Sequence, residues 1–326
     1  MTTGILLMAY GTPANVEGIE SYYTHVRHGR PPTAEQLQEL TSRYEAIGAS
    51  PLLEISRRQA EALQEALGLP VVLGMKHAAP FIEDAVDRLV EQGVDQIVGL
   101  VLAPHYSSMS VGQYEERARR RLRSSARIPR FVMIRHWHTA PGYLSLLARR
   151  VEEALHQIPE GRLHRTEVIF SAHSLPESIV ADGDPYPSQL AETAKATTLL
   201  ARWPRWSTAW QSAGRTGAKW LGPDILAVLK ERADQGVEAL VICPCGFVTD
   251  HLEVLYDIDI EAQALAENLG LMLVRTRSPN ADPLFIEALA DVANRELDRL
   301  TAADGCGCEG HCRALDRIET TTQSRR

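Results

Sequence analysis

The sequence predicts an α/β protein of two similar halves, each with a parallel sheet flanked by helices, and a cleft between the halves. Three observations lead to this prediction. Short apolar runs alternate with amphipathic stretches along the chain, and the runs are too continuously apolar to be half-exposed strands. The same rhythm starts again after residue 160. Segments of the second half also align with segments of the first.

In the first half, residues 1–160, each predicted strand is followed by a predicted helix. The strands are GILLMAYG, VVLGM, QIVGLVLAP and FVMIRH. The helices are PLLEISRRQAEALQEAL, FIEDAVDRLVEQG, GQYEERARRRLRSS and GYLSLLARRVEEALHQI. Because parallel strands need long connections, which are usually helical, this order indicates one parallel sheet.

The second half begins after the polar segment IPEGRLHRTE, which we interpret as a domain boundary. Its strands are VIFSAHS, STAWQS, EALVICP and LMLVR, and its helices are SQLAETAKATTLLA, PDILAVLKERADQG, a long helix from Leu252, and PLFIEALADVANRELDRL. We expect a second domain at residues 161–302 and a cysteine-containing tail at residues 303–326, the end of which has a polar composition typical of disorder.

Two pairs of segments indicate an internal repeat. ILLMAYGTP aligns with VIFSAHSLP and places Tyr10 opposite His173, while LVLAPH aligns with LVICPC and places Pro104 opposite Pro244. Parallel sheets bind ligands outside the carboxyl ends of their strands. We therefore expect these side chains and loops to face one cleft between the halves. A histidine at the end of a single strand would more often be structural.

The composition limits the classes of function. With 326 residues, 44% of them hydrophobic, the chain can fill two cores. Its formal charge of −8 argues against general nucleic-acid binding and would attract a cation. It contains no apolar run near the roughly 20 residues that cross a bilayer and no basic leader, so we expect a cytoplasmic protein without integral membrane association. Five cysteines, placed mostly near one end, do not resemble a disulfide framework.

The helix predicted from Leu252 carries Glu253, Asp257 and Glu261 at four-residue intervals. Like charges at this spacing destabilise a bare helix by about 0.2–0.5 kcal/mol per pair, so a bound cation would offset their repulsion. The alternative is a solvated acidic face near the helix N-terminus, where the helix dipole favours carboxylates.

Several long motifs resemble the ferrochelatases. They are SAHSLPESIVADGDPYPSQL, AWQSAGRTGAKWLGPD, GFVTDHLEVLYDIDIE and the N-terminal series MAYGTP, YYTHVRHGRPP and RYEAIG, and the resemblance runs from about residue 4 to about residue 300. The tyrosine in MAYGTP is similar to that of the coproporphyrin ferrochelatases of Gram-positive type. The resemblance implies two Rossmann-like halves around a porphyrin cleft, and insertion of Fe²⁺ into coproporphyrin III in haem biosynthesis.

The resemblance also implies roles for the site residues. His173 and Glu253 match the catalytic pair: a neutral imidazole is a good ligand for Fe²⁺, and a carboxylate can accept or relay the pyrrole protons. Asp257 and Glu261 match an outer metal site. Tyr10 would lie across the ring from His173 and match the ligand of the iron in the product.

Substrate choice depends on charge, because coproporphyrin III carries four propionates that need cationic and hydroxyl partners. The family positions that contact the porphyrin match Tyr10, Arg27, Arg43, Tyr44, Ser50 and Tyr114. For Arg30, surface solubility explains the residue equally well. The segment HVRHGRPPTAEQLQEL is polar, which favours coproporphyrin III over protoporphyrin IX, since an enzyme docked on a membrane would carry an apolar lip there.

The tail segment GCGCEGHC resembles the C-terminal ligands of ferrochelatases that carry a [2Fe–2S] cluster. Its three cysteines are Cys306, Cys308 and Cys312. Such a cluster usually takes four thiolates.

The fourth ligand departs from the family pattern, because this chain reads SSM after APHY, where many cluster-bearing relatives carry a cysteine. Cys245 is the predicted fourth ligand, with Cys243 as the alternative. A zinc site with His311 as a nitrogen ligand, and a tail whose thiols bind nothing, both stay open.

Other functions remain open at this stage. A protoporphyrin IX ferrochelatase or a cobalt or nickel chelatase would use the same residue types, since a His and carboxylate site does not select iron by affinity alone. A non-catalytic haem-binding protein would also have a two-lobed cleft. The expected partners are coproporphyrin III and ferrous iron, with transient contacts to neighbouring haem-pathway enzymes.

Overall fold

The computed structural model describes residues 2–214 and 217–305 of the protein. Within these residues the strands are β1 (Thr3–Ala9), β2 (Val71–Met75), β3 (Gln96–Val101), β4 (Arg130–Ile134), β5 (Thr166–His173), β6 (Trp206–Gln211), β7 (Ala239–Cys243) and β8 (Met272–Arg275). Most of their residues are buried, which accounts for the continuous apolar runs in the sequence.

Helices connect the strands. In the described part of the chain they are α1 (Ile19–Val26), α2 (Ala34–Ala46), α3 (Leu52–Leu67), α4 (Ile82–Glu91), α5 (Val111–Arg123), α6 (Pro141–Leu155), α7 (Glu160–Leu163), α8 (Ser178–Ala181), α9 (Tyr186–Leu200), α10 (Ile225–Asp234), α11 (Leu252–Leu255), α12 (Gln263–Asn268) and α13 (Pro283–Gly305). Among the described residues, we find no helix with the length and apolar composition that crossing a bilayer requires.

The strands form two parallel four-stranded sheets. Their orders are β2-β1-β3-β4 and β6-β5-β7-β8, so the two halves share one topology. The predicted α/β class with two parallel sheets is therefore confirmed. Tyr10 follows β1 directly, and His173 is the last residue of β5, so the two aligned residues stand at the carboxyl edges of equivalent strands.

The two sheets share a hydrophobic core. One cluster of buried residues includes Ile5 of β1 and Phe170 of β5. Helix α6 follows the first sheet in sequence but packs on α9, and α13 packs on α3 and α6. The Tyr143 hydroxyl of α6 also donates a hydrogen bond to the Cys245 carbonyl oxygen, at 2.5 Å. The division of the chain near residue 160 stays a prediction, because the helices of each half also cover the other.

The helix predicted from Leu252 is not continuous. Helix α11 ends at Leu255, a π-helical turn spans Asp257–Ala262, and α12 follows. The Glu261 amide accordingly donates to the Tyr256 carbonyl, five residues earlier, at 2.9 Å. Such turns hold one more residue than an α-helical turn. A pattern of apolar residues does not reveal this local widening.

Candidate active site

A cavity lies at the carboxyl edges of the two sheets and is lined by residues from both halves. Its polar lining includes Tyr10, Lys76, His105, Tyr114, His173, His251 and Glu253. The structure thus brings together residues that are far apart in the sequence, as the repeat predicted for Tyr10 and His173. Parallel sheets generally bind ligands at this edge.

The two ring nitrogens of His173 have different partners. Its Nδ1 makes a short hydrogen bond to the carbonyl oxygen of Ser174. Because a carbonyl can only accept, Nδ1 is the donor, and in the neutral ring Nε2 keeps a free lone pair. Nε2 lies 3.6 Å from a carboxylate oxygen of Glu253. The Tyr186 hydroxyl fixes the backbone at this point by donating to the His173 carbonyl, at 3.0 Å.

Glu253 lies between two imidazole rings. Its Oε2 is 3.6 Å from His173 Nε2 and 3.9 Å from His251 Nε2. Burial alone would raise the pKa of Glu253, but the charges of the nearby His173 and His251 imidazoles outweigh it and lower the pKa. Burial disfavours charged His251, yet its contact with Glu253 raises the pKa of that imidazole. The sequence reasoning missed His251, although it stands two residues before Glu253.

The outer carboxylates differ in exposure. Glu261 is exposed, whereas Asp257 is buried and contacts Arg43 at 3.4 Å. Burial, with the neighbouring charge of Glu253, raises the pKa of Asp257 to about 6, although a hydrogen bond from Ser212 and the charge of Arg43 oppose the shift. Within residues 2–214 and 217–305, no three His, Cys, Asp or Glu side chains are arranged to hold a metal ion.

Arg43 therefore lies beside the acidic residues and not in the lining of the cavity. It also pairs with Glu39 at 3.2 Å, and its guanidinium stacks 4.8 Å from the centre of the Tyr256 ring. The cation that lines the cavity is Lys76, which the sequence reasoning did not single out. Burial and the nearby charge of Arg117 lower the pKa of Lys76 to about 8.

Aromatic rings surround this lysine. The Lys76 Nζ lies 5.9 Å from the ring centre of Tyr10 and 5.3 Å from that of Tyr114. The Tyr10 ring also lies 4.7 Å from the His77 ring, centre to centre, with the two planes tilted by 54°. Burial raises the pKa of both Tyr10 and Tyr114, so each keeps its hydroxyl proton at neutral pH.

The other predicted porphyrin contacts lie outside the inner lining of the cavity. The Tyr44 hydroxyl is 3.3 Å from Thr12 Oγ1. The Ser50 hydroxyl is buried without a hydrogen-bond partner in the described structure. Arg27 donates to the Arg30 carbonyl at 3.3 Å.

The internal cysteines do not fit the role of a cluster ligand. Cys243 and Cys245 are both buried, and burial raises the pKa of the Cys243 thiol to about 12 and that of the Cys245 thiol above its usual value. The Cys245 thiol lies 3.8 Å from the Ser171 carbonyl oxygen, within the core. The remaining predicted ligands lie outside the described residues: Cys306, Cys308 and Cys312.

Residues 2–297 match the family described as Ferrochelatase. The chain belongs to the ferrochelatase family. A coproporphyrin III ferrochelatase from Geobacillus kaustophilus is 45% identical over 300 residues, covering 89% of this chain and 95% of the relative. A coproporphyrin III ferrochelatase 2 from Bacillus cereus is 41% identical over 312 residues, covering 92% of this chain and 96% of the relative. The family expected from the motifs is thus confirmed.

Two solved structures share the fold of this chain. SirB from Bacillus subtilis, with Fe³⁺, superposes with a TM-score of 0.59 at 13% identity, covering 90% of this chain and 95% of that chain. DR2241 from Deinococcus radiodurans, described as similar to chelatases, gives a TM-score of 0.51 at 12% identity, covering 90% of this chain and 55% of that chain. At such identities the likeness shows the fold alone.

Proposed function

We propose that the protein is a metal chelatase, a lyase, that inserts Fe²⁺ into coproporphyrin III to give Fe-coproporphyrin III in haem biosynthesis. The observation that carries the proposal is the group formed by His173, Glu253 and His251 in a cleft lined from the other half by Tyr10. The relatives named coproporphyrin III ferrochelatases, at 41–45% identity over most of the chain, support this substrate.

The reaction exchanges two pyrrole protons for one dication, so the site needs a metal ligand and a proton acceptor. His173 offers the Nε2 lone pair to Fe²⁺, because its Nδ1 proton is held by the Ser174 carbonyl. Glu253 is ionised and takes one pyrrole proton, passes it to Nε2 of a neutral His251 ring, and then takes the second, since contact with Glu253 raises the pKa of His251. Both protons leave as Fe²⁺ binds the ring.

Glu261 and Asp257 supply an approach for iron from the surface to Glu253. Glu261 is exposed, Asp257 is buried one turn earlier, and Glu253 lines the cavity, so the three carboxylates run from the surface to the cavity. Arg43 pairs with Asp257 at 3.4 Å. A propionate that attracted Arg43 would leave the Asp257 carboxylate free for the dication.

The direct test is anaerobic incubation of the protein with Fe²⁺ and either coproporphyrin III or protoporphyrin IX. We expect faster metallation of coproporphyrin III, followed by the change in its visible absorption spectrum. Faster metallation of protoporphyrin IX would reverse the substrate assignment. Turnover with Co²⁺ but not with Fe²⁺ would indicate another chelatase, and binding without turnover would indicate a carrier.

Substrate selection can be tested at Arg27. We propose that it donates charge-assisted hydrogen bonds to a propionate, typically contributing about 1.5–3 kcal/mol. Arg27→Ala should weaken coproporphyrin III binding more than protoporphyrin IX binding, measured by fluorescence titration. Arg30→Ala is the matched control, since Arg30 is exposed three residues further on. An equal loss of affinity for both porphyrins would show that Arg27 does not bind the additional propionates.

We also propose that the tail cysteines bind a [2Fe–2S] cluster. The burial of the internal thiols counts against Cys245 or Cys243 as its fourth ligand. Protein purified without oxygen should be red-brown and become colourless in Cys306→Ser. Cys245→Ser and Cys243→Ser should keep the colour if neither is a ligand. Colourless wild-type protein with one equivalent of zinc would favour a zinc site instead.

A cytoplasmic location and transient contacts with neighbouring haem-pathway enzymes complete the proposal. The bacterial relatives support the location, and the contacts stay a prediction. Cell fractionation and cross-linking in the producing cell would test them.

A further inference from the structure

One segment of the first half is held by the second half beside the active-site cavity. Residues 103–110 follow β3, and several of them, including His105, Met109 and Ser110, line the cavity. Their contacts with the second half form a series. His105 Nε2 lies 2.9 Å from Thr193 Oγ1, and the Tyr106 amide donates to Gln189 Oε1 at 2.7 Å. Both partners lie on one face of α9, four residues apart.

The strongest of these contacts involve Asp184, just before α9. Its Oδ2 accepts three hydrogen bonds, from Ser107 Oγ at 2.9 Å, from the Ser108 amide at 2.7 Å and from Ser108 Oγ at 3.0 Å. Ser107 is fully buried, so it cannot exchange this carboxylate for water. Hydrogen bonds to an ionised acceptor are about twice as strong as those between neutral groups.

The other oxygen of Asp184 connects to the catalytic strand. Oδ1 accepts from the Tyr186 amide at 3.1 Å, and the Tyr186 hydroxyl donates to the His173 carbonyl at 3.0 Å. A chain of hydrogen bonds therefore runs from the cavity wall at Ser107 and Ser108, through Asp184 and Tyr186, to the end of β5. The two sides of the cavity are joined by one carboxylate.

We propose that Asp184 is a positioning residue, which fixes segment 103–110 relative to His173 and so preorganises the cleft for the porphyrin. This inference rests on the proposed function. Asp184 does not line the cavity, so it acts through Ser107, Ser108 and Tyr186. When segment 103–110 is already fixed, less free energy is spent on ordering it as the ligand binds.

The test compares Asp184→Ala with the wild-type chain. We expect the Kd and the KM for coproporphyrin III to rise about tenfold, as the loss of one charge-assisted network predicts. The KM for Fe²⁺ should stay unchanged, because the acidic approach through Asp257 lies on another element. The melting temperature should fall by no more than a few degrees, because the buried Ser107 hydroxyl loses its acceptor. Asp182→Asn, at an exposed position two residues earlier, is the matched control.

A second set of variants separates positioning from a general structural role. Ser107→Ala with Ser108→Ala should give part of the same rise in KM, because the Ser108 amide still reaches Asp184. Combining these changes with Asp184→Ala should cause no further rise in the KM for coproporphyrin III, since all three residues act in one contact. Asp184→Asn retains one acceptor oxygen and should be intermediate, and it keeps the test available if the alanine variant folds poorly.

Several results would overturn the inference. They are an unchanged Kd in Asp184→Ala, serine and aspartate effects that add in full, or equal losses for porphyrin and iron with a melting temperature lowered by more than a few degrees. Failure of the wild-type protein to metallate coproporphyrin III would instead contradict the proposed function. The two failures are therefore distinguishable.

Discussion

The two ring nitrogens of His173 show how a single residue acquires a role from its neighbours. The Ser174 carbonyl accepts a hydrogen bond from Nδ1–H, and Nε2 is left facing Glu253 in the cavity. Glu253 in turn has a second imidazole, His251, at 3.9 Å. The positive charge of these imidazoles, when protonated, lowers the pKa of Glu253 and keeps the carboxylate ionised.

We expect His173→Ala to lower the rate of iron insertion by about 10²-fold or more, the usual contribution of one such group, while porphyrin binding stays largely intact. Glu253→Gln should act similarly, because the amide cannot take a proton. Stopped-flow absorption under anaerobic conditions measures the rate, and fluorescence titration measures binding. Wild-type turnover in His173→Ala would contradict its assignment.

The outer carboxylates should behave differently from this pair. Asp257→Asn and Glu261→Gln should raise the apparent KM for Fe²⁺ with a smaller effect on kcat, because both residues precede the reacting centre. Initial rates over a range of Fe²⁺ concentrations separate the two parameters. A fall in kcat as large as that of Glu253→Gln would show that they take part in the chemistry itself.

At the scale of elements, the ends of β5 and β7 must approach closely to present His173. Gly246, just after β7, makes this possible: a Cβ atom there would lie 2.4 Å from Ala172 Cβ and 2.7 Å from its Cα. The Gly246 amide also donates to the Ser171 carbonyl at 3.0 Å. The absence of a side chain at residue 246 therefore allows the close approach of the strand that carries His173.

Gly246→Ala should displace Ala172 and with it His173. Since a displacement of about 1 Å in an active site can cost about 10²-fold, we expect a loss of that order in kcat. Gly161→Ala is the control, because a Cβ atom at that position would meet open space. Steady-state kinetics and thermal unfolding should be compared, and equal activity of the two variants would refute the close approach.

At the scale of the whole molecule, α6 connects the two halves through a network of charges. Glu153 of α6 accepts from Arg150 at 2.9 Å and from Arg277, after β8, at 2.8 Å. Arg150 also pairs with Asp282 at the start of α13. The hydrogen bond from Arg277, with those from Arg150, lowers the pKa of Glu153 to about 2, although burial opposes the shift.

We expect Glu153→Gln to lower the free energy of unfolding at pH 7 by about 1 kcal/mol, a modest value because a third of the side chain is exposed. A carboxyl whose folded pKa is depressed stabilises the fold above its unfolded pKa and loses this effect on acidification. The difference from the wild type should therefore shrink as the pH falls below about 4.5 towards about 2.

Urea unfolding at a series of pH values measures this difference. Glu152→Gln, at the exposed neighbouring position, serves as the control and should match the wild type throughout. A difference that does not change with pH would show that Glu153 stabilises the protein by packing and not by charge.

The sequence by itself determined the fold class, the strands and the family. These follow from local patterns: buried strands read as continuous apolar runs, and the repeat places Tyr10 and His173 at equivalent strand ends. The sequence also named Glu253, and the structure places it 3.6 Å from His173. The long helix from Leu252 was predicted without its π-helical turn, because that widening depends on hydrogen bonds and not on the pattern of residue types.

Only the tertiary structure decided which side chains meet across the cleft. In the structure Lys76 lines the cavity, and Arg43, which was predicted to contact the porphyrin, pairs with Asp257 instead. Both internal cysteines are buried. The physical reason is that the position of each of these side chains depends on residues of other helices and strands. Their distances depend on how the two sheets and α6 pack together, and no short stretch of sequence encodes that packing.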